Sequence, residues 1–225
     1  MKLFLDTGDV GRVKQAAELG ILDGVTTNPT LIAKAGKEFR ETVLAICEAL
    51  PGGAISAEVV ATEYDEMLKE ALEIASWHEQ IVVKVPMIRD GVRLVSTLSD
   101  KGVRTNVTLV FSVTQALLAA KAGATYISSF VGRVDDIGGD GMEAVAATVE
   151  MIEGYGFASE VLVASVRHQQ HMVQAIAAGA HVATLPFEVL EQMVKHPLTD
   201  LGLERFLADW RDAGLSIRSG TAAGS

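Results

Sequence analysis

Eight short apolar runs, rich in β-branched residues, recur along this chain, and a longer stretch of helical periodicity follows each of them. They begin near Leu3-Phe4-Leu5, Gly24-Val25-Thr26, Ala54-Ile55-Ser56, Ile81-Val82-Val83, Val103-Arg104-Thr105, Tyr126-Ile127-Ser128, Val161-Leu162-Val163 and His181-Val182-Ala183. Runs without polar interruption are the signature of parallel strands covered on both faces. Between them lie amphipathic segments such as Glu63 to Trp77, where Met67, Leu68, Ala71, Leu72 and Ala75 recur at three- and four-residue spacing. Gly follows several of these segments, as in Leu19-Gly20, Lys101-Gly102, Ala122-Gly123 and Ala178-Gly179, where a left-handed helix terminus favours it. The eightfold alternation within about 190 residues predicts a closed α/β barrel of the (β/α)8 type. A doubly wound open sheet is the alternative, because periodicity does not separate the two.

No Pro/Gly/Ser linker or charge block divides residues 1–215, so one barrel domain that includes additional C-terminal helices is expected there. Those helices should span Pro186 to Lys195 and Leu198 to Ala213, and the small, polar stretch 216–225 should be a flexible tail. The stripe Phe206, Leu207 and Trp210 suits packing on its own barrel and contact with another subunit equally well. Of the 225 residues 49% are hydrophobic and 21% charged, which excludes intrinsic disorder. The net charge of −10 argues against nonspecific attraction to nucleic acid or anionic lipid. Any phosphate must therefore be held by a local pocket. The single Cys47 permits no intramolecular disulfide and no all-cysteine metal site, and its expected role is a small buried hydrophobe. No apolar run approaches the ~18–20 residues of a membrane helix. Asp6 comes too early for a secretory signal, so a soluble, cytoplasmic protein is expected.

Polar residues gather at the carboxyl ends of the expected strands, where enzymes of the barrel class build their sites. Asp6 closes the first, Thr26-Thr27-Asn28-Pro29 the second, Glu58 lies in the third and Lys84 in the fourth. Asn106 and Thr108 follow the fifth, Ser128 and Arg133 the sixth, and Ser165 and Arg167 the seventh. Lys84 interrupts Ile81-Val82-Val83-Lys84-Val85-Pro86, a run otherwise suited to complete burial. Burial disfavours a charged amine, and a neutral amine attacks carbonyls to form a Schiff base. A lysine paired with a buried carboxylate, or one reaching out from a barrel end, accounts for the run equally well. Glu58, in the neighbouring strand, suits general acid/base work through a water shared with Thr108, or a structural ion pair with Lys84. Asp6 suits work on a substrate hydroxyl, whereas Asp9 suits a helix cap.

Arg133, Arg167 and the hydroxyl of Ser165 compose a phosphate clamp, with salt bridges to Asp135 or Asp136 as the competing use of the arginines. Gly138-Gly139-Asp140-Gly141 lacks the Lys and Ser/Thr of a phosphate loop and fits a flexible approach to the next helix. His168 and His171 stand three apart, but without a local carboxylate or cysteine they fit a solvated helix face better than a metal site.

Three segments, Leu3-Phe4-Leu5-Asp6-Thr7, Gly24-Val25-Thr26-Thr27-Asn28-Pro29-Thr30 and Val82-Val83-Lys84-Val85-Pro86, resemble those of the small transaldolases and their fructose-6-phosphate aldolase relatives. The resemblance covers roughly residues 1 to 212, and the Val-Thr-Thr-Asn-Pro block with the lysine strand is highly specific. It implies a barrel and a class I mechanism without metal or cofactor, in which Lys84 holds a dihydroxyacetone unit as a Schiff base. It further implies that Asp6 acts on the donor hydroxyl during carbon–carbon cleavage, and that Glu58 and Thr108 hold the proton-shuttling water. Asn28, Asn106 and Ser128 would hydrogen-bond the bound ketose, and Arg133, Ser165 and Arg167 would hold the substrate phosphates.

Aldolase members of the family typically carry Gln where this chain has Glu58 and Tyr where it has Phe130, so both positions resemble the transaldolase pattern. The expected reaction is transfer of a dihydroxyacetone unit from sedoheptulose 7-phosphate to glyceraldehyde 3-phosphate, giving erythrose 4-phosphate and fructose 6-phosphate in the pentose phosphate pathway. The alternatives are an aldolase that releases free dihydroxyacetone, and a noncatalytic sugar-phosphate binder. The resemblance also implies a homo-oligomer, a pentamer or decamer, joined through the C-terminal helices.

Overall fold

The architecture follows from one repeated physical problem: an apolar strand must be covered on both faces, and the helix that follows it in the chain supplies the outer cover. The computed structural model describes residues 1–31 and 38–217. Its strands are β1 (Lys2–Asp6), β2 (Gly24–Thr26), β3 (Ala54–Glu58), β4 (Ile81–Pro86), β5 (Thr105–Val110), β6 (Tyr126–Phe130), β7 (Glu160–Ala164) and β8 (Val182–Leu185). All neighbouring pairs are parallel, and β1 pairs with β8 to close the barrel, which decides against the open sheet.

The described helices are α1 (Val10–Ala17), α2 (Phe39–Ala49), α3 (Tyr64–Ser76), α4 (Arg89–Asp100), α5 (Val113–Lys121), α6 (Val131–Asp135), α7 (Gly141–Tyr155), α8 (Gln169–Ala177), α9 (Phe187–Val194) and α10 (Pro197–Asp212). Local chemistry sets their ends. Asp9 caps α1 by accepting from the Gly11 and Arg12 amides, and Asp140 caps α7 by accepting from Met142 and Glu143. Gly20, Gly102, Gly123 and Gly179, all expected at helix ends, have positive φ. In α3 the buried face is Met67, Ala71 and Ile74, whereas Leu72, expected on that face, is exposed. Ile74 stands seven residues beyond Met67 and so falls back on the same line of the helix; Leu72 does not.

The structure divides into two compact units, Met1–Val189 and the residues from Leu190 onward. The first holds the barrel. The second is mainly α10, which His196 caps through Nδ1 and which begins on Pro197. The tail expected over 216–225 lies, from residue 218, outside the described residues.

Alternate residues of each strand point inward. The lower interior is apolar, a cluster of Phe4, Ala54, Val82, Tyr126, Leu162, Ala164 and Val182. Phe4 and Tyr126 meet edge to face at 5.5 Å. The Phe4 ring occupies the space a side chain at position 24 would need, since a Cβ there would lie 2.7 Å from it; hence glycine. Two residues further along the same strands stand Asp6, Ser56, Lys84, Ser128 and Thr184, and this step turns an apolar plug into a polar floor. Hydrogen bonds fasten the amino-terminal ends of the strands. The Gln80 amide donates to the carbonyls of Leu50 and Gly53 at 2.7 and 2.9 Å, Ser159 donates to that of Ala124 at 2.6 Å, and Lys2 pairs with Glu160 at 2.7 Å.

Candidate active site

Register decides which polar residues meet. Glu58 lies opposite Lys84, Lys84 opposite Asn106, and Asp6 opposite Thr26. The carboxyl ends of the strands surround a pocket of about 570 Å³. Asp6, Asn28, Glu58, Lys84, Thr108, Ser128, Phe130, Arg133, Ser165 and Arg167 all line it. Asn106, also expected here, is wholly buried just beneath.

Lys84 is 5% exposed at the floor. Its Nζ donates to the Thr27 carbonyl at 3.0 Å and stands 3.1 Å from Glu58 Oε2. A buried cation is tolerable only with such partners. Asp6 accepts a hydrogen bond from Thr26 Oγ1 at 2.8 Å, and Thr26 in turn lies 2.6 Å from Thr184 Oγ1. Because the Thr26 hydroxyl gives its proton to Asp6, Thr184 is the donor in the second contact. Burial pushes the Asp6 carboxyl above the usual aspartate value, opposed by the nearby Lys84 charge and the Thr26 hydrogen bond. Within the floor, Ser128 Oγ donates to Asn106 Oδ1 at 2.7 Å and Asn106 Nδ2 donates to Ser56 Oγ at 3.1 Å. This chain ties β3, β5 and β6 together beside Lys84.

Thr108 owes its place to a bulge. The β5–β6 register shifts between Val107 and Val110, and Leu109 takes φ 60°. A branched, bulky residue seldom adopts that conformation. Asn106 and Thr108 thus belong to β5, which begins at Thr105 rather than near Val103, and do not follow it. Thr108 Oγ1 is buried and has no hydrogen-bond partner among the described residues. The second non-glycine residue at positive φ is Ser165, at 61°, directly after β7. Strained backbone of this type concentrates at functional sites.

At the rim, the Arg133 guanidinium lies 5.0 Å from the Phe130 ring centroid, and Phe130 packs edge-on against Phe111. Arg167 pairs with Asp136 at 2.7 Å, the salt bridge that competes with a phosphate clamp in the sequence. Asp135 instead meets His171, at 2.9 Å. His171 is buried, contrary to the solvated face expected for it, and no cluster of three metal-ligating side chains occurs among the described residues. Asn28 accepts from the Leu31 amide at 3.0 Å. Sequence patterns alone missed Ser56 and Thr184, and placed Thr26 and Thr27 at a strand end without their partners, since small hydroxyl residues and main-chain groups carry no signature until register joins them to Asp6 and Lys84.

This geometry agrees with what the chain resembles. The family model described as Transaldolase/Fructose-6-phosphate aldolase matches residues 3–217. A probable transaldolase of Anaeromyxobacter sp. (strain K) is 57% identical over 210 residues, 93% of this chain and 96% of that protein. Probable transaldolases of Herpetosiphon aurantiacus and Petrotoga mobilis are each 54% identical over 211 residues, 94% of this chain and 95% of each of those proteins. A lysine floor between two carboxylates in a parallel barrel, matched along nearly the whole chain, leaves one conclusion: the protein belongs to the transaldolase/fructose-6-phosphate aldolase family of enzymes.

Proposed function

We propose that this protein is a transaldolase that moves a dihydroxyacetone unit from sedoheptulose 7-phosphate to glyceraldehyde 3-phosphate. The observation that carries the proposal is Lys84, buried at the pocket floor 3.1 Å from Glu58. In this mechanism the Lys84 amine, its proton passed to a carboxylate, adds to the ketose carbonyl, and the carbonyl oxygen takes a proton to give a carbinolamine. Glu58 and a water on the Thr108 hydroxyl supply the proton that expels that oxygen as water. Asp6, oriented by Thr26, then accepts the C4 hydroxyl proton as the C3–C4 bond breaks; the aldose phosphate leaves, and an enamine stays on Lys84. The acceptor aldehyde takes up the enamine carbon by the reverse steps, and water releases the product ketose.

Asn28, Asn106 and Ser128 orient the ketose, directly or through the buried Ser128–Asn106–Ser56 chain of the floor. Arg133, Ser165 and Arg167 hold the phosphate, with Arg167 exchanging Asp136 for it. Phe130 has no hydroxyl to bring a proton to the enamine, which favours transfer over release of dihydroxyacetone. Residues 1–215 act as one barrel domain in the cytoplasm, in the pentose phosphate pathway. The Leu198, Leu201, Phe206, Leu207 and Trp210 side chains of α10 join subunits into a pentamer or decamer. Sedimentation showing only the 23.8 kDa chain would refute that assembly.

The test is product analysis with fructose 6-phosphate, with and without erythrose 4-phosphate, together with borohydride reduction and intact mass. Sedoheptulose 7-phosphate formed only with acceptor, and an adduct that disappears in Lys84→Met, are expected. Free dihydroxyacetone released at a comparable rate without acceptor would make the protein an aldolase. Normal turnover by Lys84→Met would refute the Schiff base.

A further inference from the structure

The buried His171 lies outside the pocket and serves no step above, yet both of its ring nitrogens are engaged. The Arg167 backbone N–H donates to Nδ1 at 3.1 Å, so Nδ1 carries no proton. The proton sits on Nε2, which donates to Asp135 Oδ2 at 2.9 Å. Asp135 Oδ1 accepts from the Gly141 amide at 3.0 Å, at the start of α7. Asp135 ends α6, the short helix that carries Arg133. The same two segments touch again where the Gly132 amide donates to the Ser165 carbonyl at 3.2 Å.

We propose that His171 and Asp135 are positioning residues for phosphate binding, a latch that fixes the main chain of Arg167 to the segment carrying Arg133 and so sets the distance between the two guanidinium groups. This rests on the phosphate role proposed above for Arg133, Ser165 and Arg167. The neutral Nε2–H tautomer is the working form. A proton on Nδ1 would face the Arg167 N–H, donor against donor, and release the loop. Burial holds His171 below the usual histidine value, with the neighbouring His168 and Arg167 charges acting in the same direction and Asp135 against them, so the working form prevails at neutral pH.

Asp135→Asn tests the latch with almost no change of shape. The amide oxygen can still accept from Gly141, but its NH2 then faces Nε2, which must become the acceptor, and the imidazole proton moves to Nδ1. The quantity to measure is the ratio of KM for a phosphorylated acceptor, erythrose 4-phosphate, to KM for erythrose. Arg167→Ala should raise this ratio roughly ten- to a hundredfold, the range for losing a charge-assisted pair. Asp135→Asn should raise it about three- to tenfold, and add nothing in the Arg167→Ala background, because it acts through Arg167. Thermal melts establish that each variant is folded. Should Asp135→Asn not fold, His171→Gln carries the same comparison. If Arg167→Ala changes the ratio and neither latch variant does, or if the effects add, the latch is refuted while the phosphate role stands. If Arg167→Ala leaves the ratio unchanged, the phosphate role fails and the latch falls with it.

Discussion

Gly132 does not line the pocket, yet Gly132→Ala should damage both stability and phosphate binding. A Cβ at this position would lie 2.3 Å from the Ser165 carbonyl oxygen, 2.6 Å from Arg167 Nε and 2.8 Å from Arg167 Cγ. Ordinary contact begins at 3.4 Å, so the carbonyl must retreat by about 1 Å. The arginine side chain can swing away. The carbonyl cannot, because it accepts the Gly132 amide and belongs to a residue already held at φ 61°. Alanine offers up to about 1 kcal/mol of helix propensity in α6. Overpacking costs about 1–3 kcal/mol, and the strained Gly132–Ser165 hydrogen bond about 1 kcal/mol more. The clash therefore wins by about 1–3 kcal/mol, which for a chain of this size lowers Tm by roughly 2–12 °C. A shift of about 1 Å in a binding group costs up to ~100-fold, so KM for erythrose 4-phosphate should rise at least severalfold more than KM for erythrose. Thermal denaturation followed by circular dichroism, with the two KM values, checks both parts. A variant with the wild-type Tm and an unchanged KM ratio would show that α6 and the Ser165 loop do not constrain each other.

Ser128→Ala removes the hydrogen bond to the buried Asn106 Oδ1, and urea denaturation should show a loss of about 1–3 kcal/mol; no loss would mean that the amide finds another donor. Cys47 is buried and its thiol is pushed up to about 11, chiefly by desolvation. It should therefore react with a disulfide reagent at pH 8 only in urea, and rapid labelling of the native protein would contradict this. As pH falls from the usual histidine value of 6.5 toward the lower native one of His171, the unfolded chain binds the proton first and stability should decline. Denaturation midpoints across this window should slope less in His171→Gln, and identical slopes would refute the linkage. Asp6 acts with the opposite sign at lower pH, since its raised native value makes the folded state take up the proton first.

The strands were legible because burial on both faces leaves unbroken apolar runs, and Lys84 stood out because it breaks one. The same burial hid the inward alternation. In Ile81–Pro86 both faces are apolar, so nothing in the run says that Val82 and Lys84 share the interior while Val83 and Val85 face the helices. The pairing of Glu58 with Lys84 was one of two readings open in the sequence, and the β3–β4 register, with Glu58 opposite Lys84, brings the two together. The bulge at Leu109 was illegible for a different reason: leucine has no propensity for positive φ, and only tertiary packing holds it there. His171 misled because no carboxylate stands near it in sequence, whereas its partner Asp135 arrives from thirty-six residues away.

The hydrogen bonds of Gln80, Ser159 and Lys2 at the amino-terminal ends have a consequence for how such a protein can diverge. They hold the frame from the end opposite the pocket, so substitutions at the rim, at Phe130 or along the Ser165 loop, leave these bonds in place. A lineage can therefore try new acceptors by exchanging rim residues while the bonds that fasten the barrel at its other end remain intact.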